Sequence, residues 1–147
     1  MVKTEEIDGG KMIKGRKRHI ITDTMMGLLL AVIVHAANVQ DSKGATDVIA
    51  LLKGRFERLV KIVADGGYRG ELIEKTKIAF GWILEIVLRP DHSSKFVVTP
   101  QRWVVERTFA WFESYRRLSK DFEYLIDTSE AMIQFAMIKL MLNRIQK

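Results

Sequence analysis

The sequence predicts a mixed α/β fold, a sheet flanked by helices, and three observations carry that expectation. Strand-length β-prone runs and helix-patterned segments follow one another in the order strand, strand, helix, strand, helix, strand, helix, helix. The run Val60-Lys-Ile-Val-Ala64 stops at Asp65-Gly66-Gly67, which is how a strand covered on both faces ends. Thr99-Pro100 then opens a long aromatic segment with a cap and a first-turn proline, the signature of a helix start. With 147 residues, 48% of them hydrophobic and 29% charged, one core and one domain over 1–147 are expected.

Taken in order, Met1 to Gly10 is polar and weakly patterned, so a loosely held start is expected. Arg16 to Thr24 and Leu28 to Ala37 are β-prone runs around Met25-Met26-Gly27, a hairpin with glycine at the turn. Alternation puts Arg16, Arg18 and Ile20 on one face and Lys17, His19 and Ile21 on the other, so the strand begins basic on both faces and only its far end is expected to be buried. Asp41-Ser42 caps a helix expected to run through Arg55, with Val48, Leu51 and Leu52 facing inward. The Asp65 strand, a helix over Glu71 to Lys77 and a strand over Ile83 to Leu88, stopped by Pro90, follow. Asp91 to Val98 is a polar connection. After the Pro100 helix, Asp127 or Thr128 caps a last helix to Ile145, apolar nearly all round from Ala131 to Leu142 and expected to be buried against the sheet or a partner.

Composition narrows the function classes. Lys and Arg number 24 against 18 Asp and Glu, a net charge of +6, which favours polyanionic partners and above all nucleic acid. A ribosomal or membrane-surface protein would share that balance. With no cysteine, disulfides and thiolate metal sites are excluded. His19, His35 and His92 show no metal-ligand spacing. The longest apolar run, Met25 to Val34, is too short to span a bilayer, and the N-terminus lacks signal-peptide order, so a soluble chain inside the cell is expected.

Two acids stand out. Asp65 ends its strand beside two glycines, which leave room for a phosphate backbone and a metal ion to approach. Taken alone, Asp-Gly-Gly also reads as a plain turn. Glu106 falls in the second turn of the Pro100 helix, with Arg102 one turn before it and Trp103, Phe109 and Phe112 as apolar anchors around it. Its plain reading is a surface ion pair with Arg102, worth well under ~1 kcal/mol. The basic run Lys14 to His19 reads either as a phosphate-contacting patch or as a solvated strand end that discourages edge pairing.

As a set, Lys14-Gly-Arg-Lys-Arg-His-Ile20, Asp23-Thr24, Val34-His-Ala-Ala-Asn-Val-Gln-Asp41, Ala64-Asp-Gly-Gly-Tyr-Arg-Gly70, Arg102-Trp-Val-Val-Glu-Arg-Thr-Phe-Ala-Trp111 and Tyr115-Arg-Arg-Leu-Ser-Lys-Asp121 resemble the catalytic domain of bacterial DDE-type insertion-sequence transposases. The resemblance runs over nearly the whole chain in the family's order. It implies an RNase H-like sheet, a DNA substrate, and Mg²⁺ or Mn²⁺ as cofactor. It makes Asp65 the second and Glu106 the third catalytic, metal-binding acid, with Lys14, Arg16, Lys17, Arg18, His19, Arg69, Arg102, Arg107, Arg116 and Arg117 as the DNA-binding surface. Forty-one positions separate the two acids, too few for a large inserted domain. The tyrosine and lysine that the family often places seven before and seven after the glutamate are here Thr99 and Glu113, so neither takes a role.

By the same resemblance, Val2-Lys3-Thr4 looks like the tail of the pattern that carries the first aspartate. That residue and its strand are expected to precede Met1. Neither Asp8 nor Asp23 occupies its position. The implied function is cutting and joining DNA at insertion-sequence ends, by a bacterial cytoplasmic, nucleoid-associated protein. Its expected partners are DNA and either further copies of itself or an upstream transposase segment. The alternative is a catalytically inactive remnant that binds DNA or a transposase partner.

Overall fold

The computed structural model describes residues 6–8, 13–88 and 100–146. The elements are β1 (Glu6–Asp8), β2 (Ile13–Thr22), β3 (Leu29–Ala36), α1 (Asp41–Ala50), β4 (Lys61–Asp65), a 3₁₀ turn (Gly66–Tyr68), α2 (Glu71–Phe80), β5 (Ile83–Val87), α3 (Pro100–Glu113) and α4 (Ile126–Ile145). The fold is mixed α/β, with antiparallel and parallel sheet segments flanked by helices, as expected. Its strands fall into two groups: an antiparallel sheet in the order β1-β2-β3, and a parallel pair, β4-β5.

Two cores lie on opposite faces of the β2–β3 hairpin, and the first of them also takes in the parallel pair. Ala31 of β3 packs with Ala45, Val48, Ile49 and Leu52 of the α1 region and with Ile62, Leu72 and Leu84. On the other face of β2–β3, Val32 and Val34 pack with Phe112, Leu118, Ile133 and Met137. The period-two alternation of strand side chains divides them in this way. The hairpin closes through Gly27 at φ +69°, where a Cβ would lie 2.9 Å from the Thr108 hydroxyl of α3. That buried hydroxyl donates to the Gly27 carbonyl at 2.6 Å, so the glycine fixes where α3 sits on the hairpin.

Several boundaries differ from the expectation. α1 ends at Ala50, and residues 51–55 continue as turns through Gly54 at φ +73°; Ile49 is buried in place of Leu51, which is exposed. Its N-cap is Gln40, without a side-chain cap. α2 is longer, reaching Phe80 before Gly81 ends it at φ +73°. The N-cap of α4 is Leu125, while Asp127 sits in the first turn, where an acid favours the positive end of the helix dipole. One side of α4 covers β3, and the Glu130 carboxylate accepts from the Val34 N–H on the outer edge of that strand at 2.8 Å. The opposite side leaves Phe135, Ile138, Leu142 and Ile145 exposed, so α4 is not buried all round. β4 is half-buried rather than covered on both faces, with Ile62 its one fully buried residue. Within the start expected to be loosely held, Glu6–Asp8 forms β1 and pairs with β2, while the rest of that start, the 91–98 connection, the Thr99 cap and His92 lie outside the described residues.

Candidate active site

Between β2 and β4 runs a groove of about 260 Å³. Asp65 and Glu106 both line it, with Arg18 to Ile21 of β2, Ile62 to Ala64 of β4 and Tyr68. Asp65 arrives as the last residue of β4, and one of its oxygens, Oδ1, accepts from the Gly67 N–H at 3.0 Å. A Cβ at position 67 would sit 3.2 Å from that oxygen, so glycine is what lets the chain fold back so closely. The Arg69 guanidinium lies beside Gly66, within 3.7 Å of where a side chain would begin, one turn from the acid. Glu106 comes from α3, set by the Thr108 anchor, and is exposed at the groove rim with Val105 and Phe109 on the apolar side below. Burial, aided by the Asp41 and Asp65 carboxylates, pushes the Tyr68 phenol above its ordinary value, so at neutral pH it is a hydrogen-bond donor.

The basic residues divide into two sets. Arg16 does not belong to an open DNA-facing patch: its side chain is 8% exposed, paired with Asp121 at 3.1 Å, and donates to the carbonyls of Glu123 (3.0 Å) and Tyr124 (2.7 Å). The described part of the basic end of β2 is therefore half-buried, contrary to the expectation from its charge, because the loop after α3 supplies a ring of oxygens around Arg16. Asp121 completes the knot by accepting from the Ser129 hydroxyl and the Glu123 N–H. Arg18 donates to the Leu118 carbonyl at 2.9 Å. Lys17 donates to the Val39 carbonyl and pairs with Asp41 at 3.2 Å. His19 is buried on the α1 face, against Gly44, where any Cβ would collide with its ring. Burial first, then the nearby His35, holds its pKa below the ordinary value. It too is withdrawn from a DNA surface.

On the α3 side the cations are more open. Arg107 stacks between Trp103 (4.5 Å) and Trp111 (5.0 Å), whose ring Arg144 also approaches (4.5 Å). Trp103 is thus a half-exposed stacking partner and not the core anchor expected. Arg117 pairs with Glu123 at 2.9 Å, while Arg116 and Arg69 are exposed. The side chains of Lys14 and Arg102 lie outside the described residues. Asp23 is occupied: it accepts from the N–H groups of Met25, Met26 and Leu28, and so builds the hairpin turn. Sequence reasoning missed the Arg16–Asp121 knot, which joins residues 105 apart with no local signal. It missed the Trp103-Arg107-Trp111 ladder as well, although there the i, i+4, i+8 spacing was a signal that could have found it.

The sequence model of a family described as "Transposase DDE domain" matches residues 1–141. The chain belongs to the DDE transposase family. A curated relative, the putative transposase for insertion sequence element IS402 of Burkholderia cepacia, is 33% identical over 143 residues, covering 90% of this chain. The chain spans 65% of that relative's length. No solved structure matches. Among the described residues no group of three or more His, Cys, Asp or Glu side chains could hold a metal ion, and no helix is long and apolar enough to cross a membrane.

Proposed function

We propose that this chain is a DNA-binding portion of a DDE transposase that presents two metal-binding acids, Asp65 and Glu106, and does not by itself cut DNA. The observation that carries the reading is that two acids 41 positions apart line one groove without a third carboxylate beside them among the described residues. Two hard oxygen donors fit a divalent ion such as Mg²⁺ or Mn²⁺, and substrate phosphates and water would complete its shell. Such ions, when bound, activate an attacking oxygen and steady a leaving one at phosphorus. The part of the chain itself is to hold those ligands, with Asp65 fixed by the Gly67 N–H and Glu106 by the α3 anchor. Arg69, Arg107 and Arg116 attract phosphates to the same side, and partners are DNA and further transposase polypeptide.

A second reading, in which the chain cuts and joins DNA at insertion-sequence ends once a further acid is supplied, is favoured by its spanning 65% of the relative. One experiment separates the two. Strand cleavage of a DNA fragment bearing the element's ends is assayed in Mg²⁺ for the chain as given and for the chain preceded by a segment carrying an added aspartate. DNA retention is followed as salt rises. Binding that weakens steeply with salt and no cleavage in either form support the first reading. Cleavage in the longer form alone supports the second, and robust cleavage by the chain as given overturns the first.

A further inference from the structure

We propose that the loop joining α3 to α4, residues 114–125, is a DNA-bending element beside the groove, which seats the Phe122 ring between two base pairs of a bound duplex while Arg116 and Lys120 hold the flanking phosphates. It rests on the DNA reading above and adds to it a contact type and a shape imposed on the DNA. Nothing in that reading gives Lys120 or Phe122 a part.

The loop carries both signs of charge, Arg116, Arg117 and Lys120 against Asp121 and Glu123. The fold separates them. The Asp121 side chain, 19% exposed, turns inward to Arg16 at 3.1 Å and accepts from the Ser129 hydroxyl at 3.0 Å. The Glu123 side chain, 9% exposed, accepts from the Arg117 Nε–H at 2.9 Å. Arg116 and Lys120 are exposed and make no ion pair with a described residue. Both acids are thus consumed inside the fold, and the outward side of the loop is cationic although its sequence is nearly balanced. Cations of this kind favour a polyanion over an apolar protein partner.

Phe122 lies between those two acids, 63% exposed. A lone exposed phenylalanine needs no account of its own. This one is carried on a backbone fixed from both sides: the Glu123 N–H closes across it onto Asp121 Oδ1 at 3.1 Å, and the Glu123 and Tyr124 carbonyls accept from Arg16 at 3.0 and 2.7 Å. A group already held in place loses little freedom when it binds. Proteins that bend DNA use apolar side chains, phenylalanine among them, as wedges at a base step, and basic side chains secure the neighbouring phosphates.

The position of the loop suits this role. Arg18 donates to the Leu118 carbonyl at 2.9 Å and also lines the groove with Asp65 and Glu106. Arg16 and Arg18 together strap the loop to the strand that borders the groove, so a duplex laid over the two acids meets it alongside.

The test follows a duplex of roughly 30 base pairs, labelled at its ends with a fluorescence donor and acceptor, bound to the full chain. The ends are expected to draw together, because a wedge kinks DNA by roughly 20–90°. Phe122→Ala is expected to hold the duplex about tenfold less tightly and to leave its ends apart. It is expected to keep the salt slope and the urea unfolding midpoint, since it removes an exposed ring and no charge. Phe122→Leu, still apolar, is expected to restore the bend. Lys120→Ala is expected to keep the bend and to lower the salt slope by about one. A chain that retains no duplex overturns the DNA reading and this proposal together. A duplex that is retained but left straight, or that Phe122→Ala binds and bends as the unaltered chain does, overturns this proposal alone.

Discussion

The turn after β2 and the turn after β4 are made from the same parts: a strand, an aspartate, and glycine within the next few residues. Asp23 spends both carboxylate oxygens on three backbone N–H groups of its own turn. Asp65 spends one oxygen on one N–H and stands in a groove with Glu106. What separates a framework acid from an available one is thus how many of its lone pairs the local backbone already fills. The arginines follow the same rule. Arg16 is saturated by a carboxylate and carbonyls, whereas Arg116, within the loop that supplies them, is exposed.

The largest expected effect breaks this contrast on the side of the saturated groups. Arg16→Ala removes the cation that faces Asp121 and the donors to the carbonyls of Glu123 and Tyr124, all around a largely buried side chain, and urea unfolding is expected to show a loss of about 3–5 kcal/mol. Arg116→Ala is expected to leave the unfolding midpoint unchanged and to lower DNA retention at low salt. Asp23→Ala comes next: it frees three N–H groups of the hairpin turn and is expected to cost about 2–3 kcal/mol by the same measurement. Asp65→Ala removes a single capping bond and is expected to cost about 1 kcal/mol. If the two aspartate variants were equally destabilised, the distinction between the turns would fail.

A smaller effect concerns the buried face of β2. The folded state holds the His19 imidazole neutral below its ordinary pKa, through burial and His35, against the opposing pull of Asp41 and Asp47. Its contribution is complete above the unfolded value near 6.5, and stability is expected to fall as pH drops from there toward the lowered folded value, where the unfolded chain takes up the proton first. Urea midpoints at pH 7.5 and 5.5, compared with a His19→Gln variant that flattens the difference, check the sign.

The local grammar of the chain was legible. The strand before Asp65, the Pro100 helix start and the two faces of β2 all follow from periodicity and caps within a few residues, and the structure has each of them. What was not legible is non-local. Nothing near Arg16 announces Asp121 or the carbonyls of residues 123–125, so a basic run on a strand read as a surface when it is a clamp. The separation of the strands into two groups could not be read either, because strand pairing is decided between segments distant in sequence. Glu106 was found through its motif, and its place at the groove rim depends on Thr108 meeting Gly27, 81 residues away.

Binding of Mn²⁺ by the folded chain, followed by electron paramagnetic resonance, bears most directly on the claim that Asp65 and Glu106 form one metal-binding pair. The expected result is one weakly held ion whose binding is lost in Asp65→Asn and equally in Glu106→Gln, and is kept in Asp127→Asn, an exposed acid of α4 outside the groove. Binding that persists unchanged in both groove variants, or that only one of them abolishes, would contradict it.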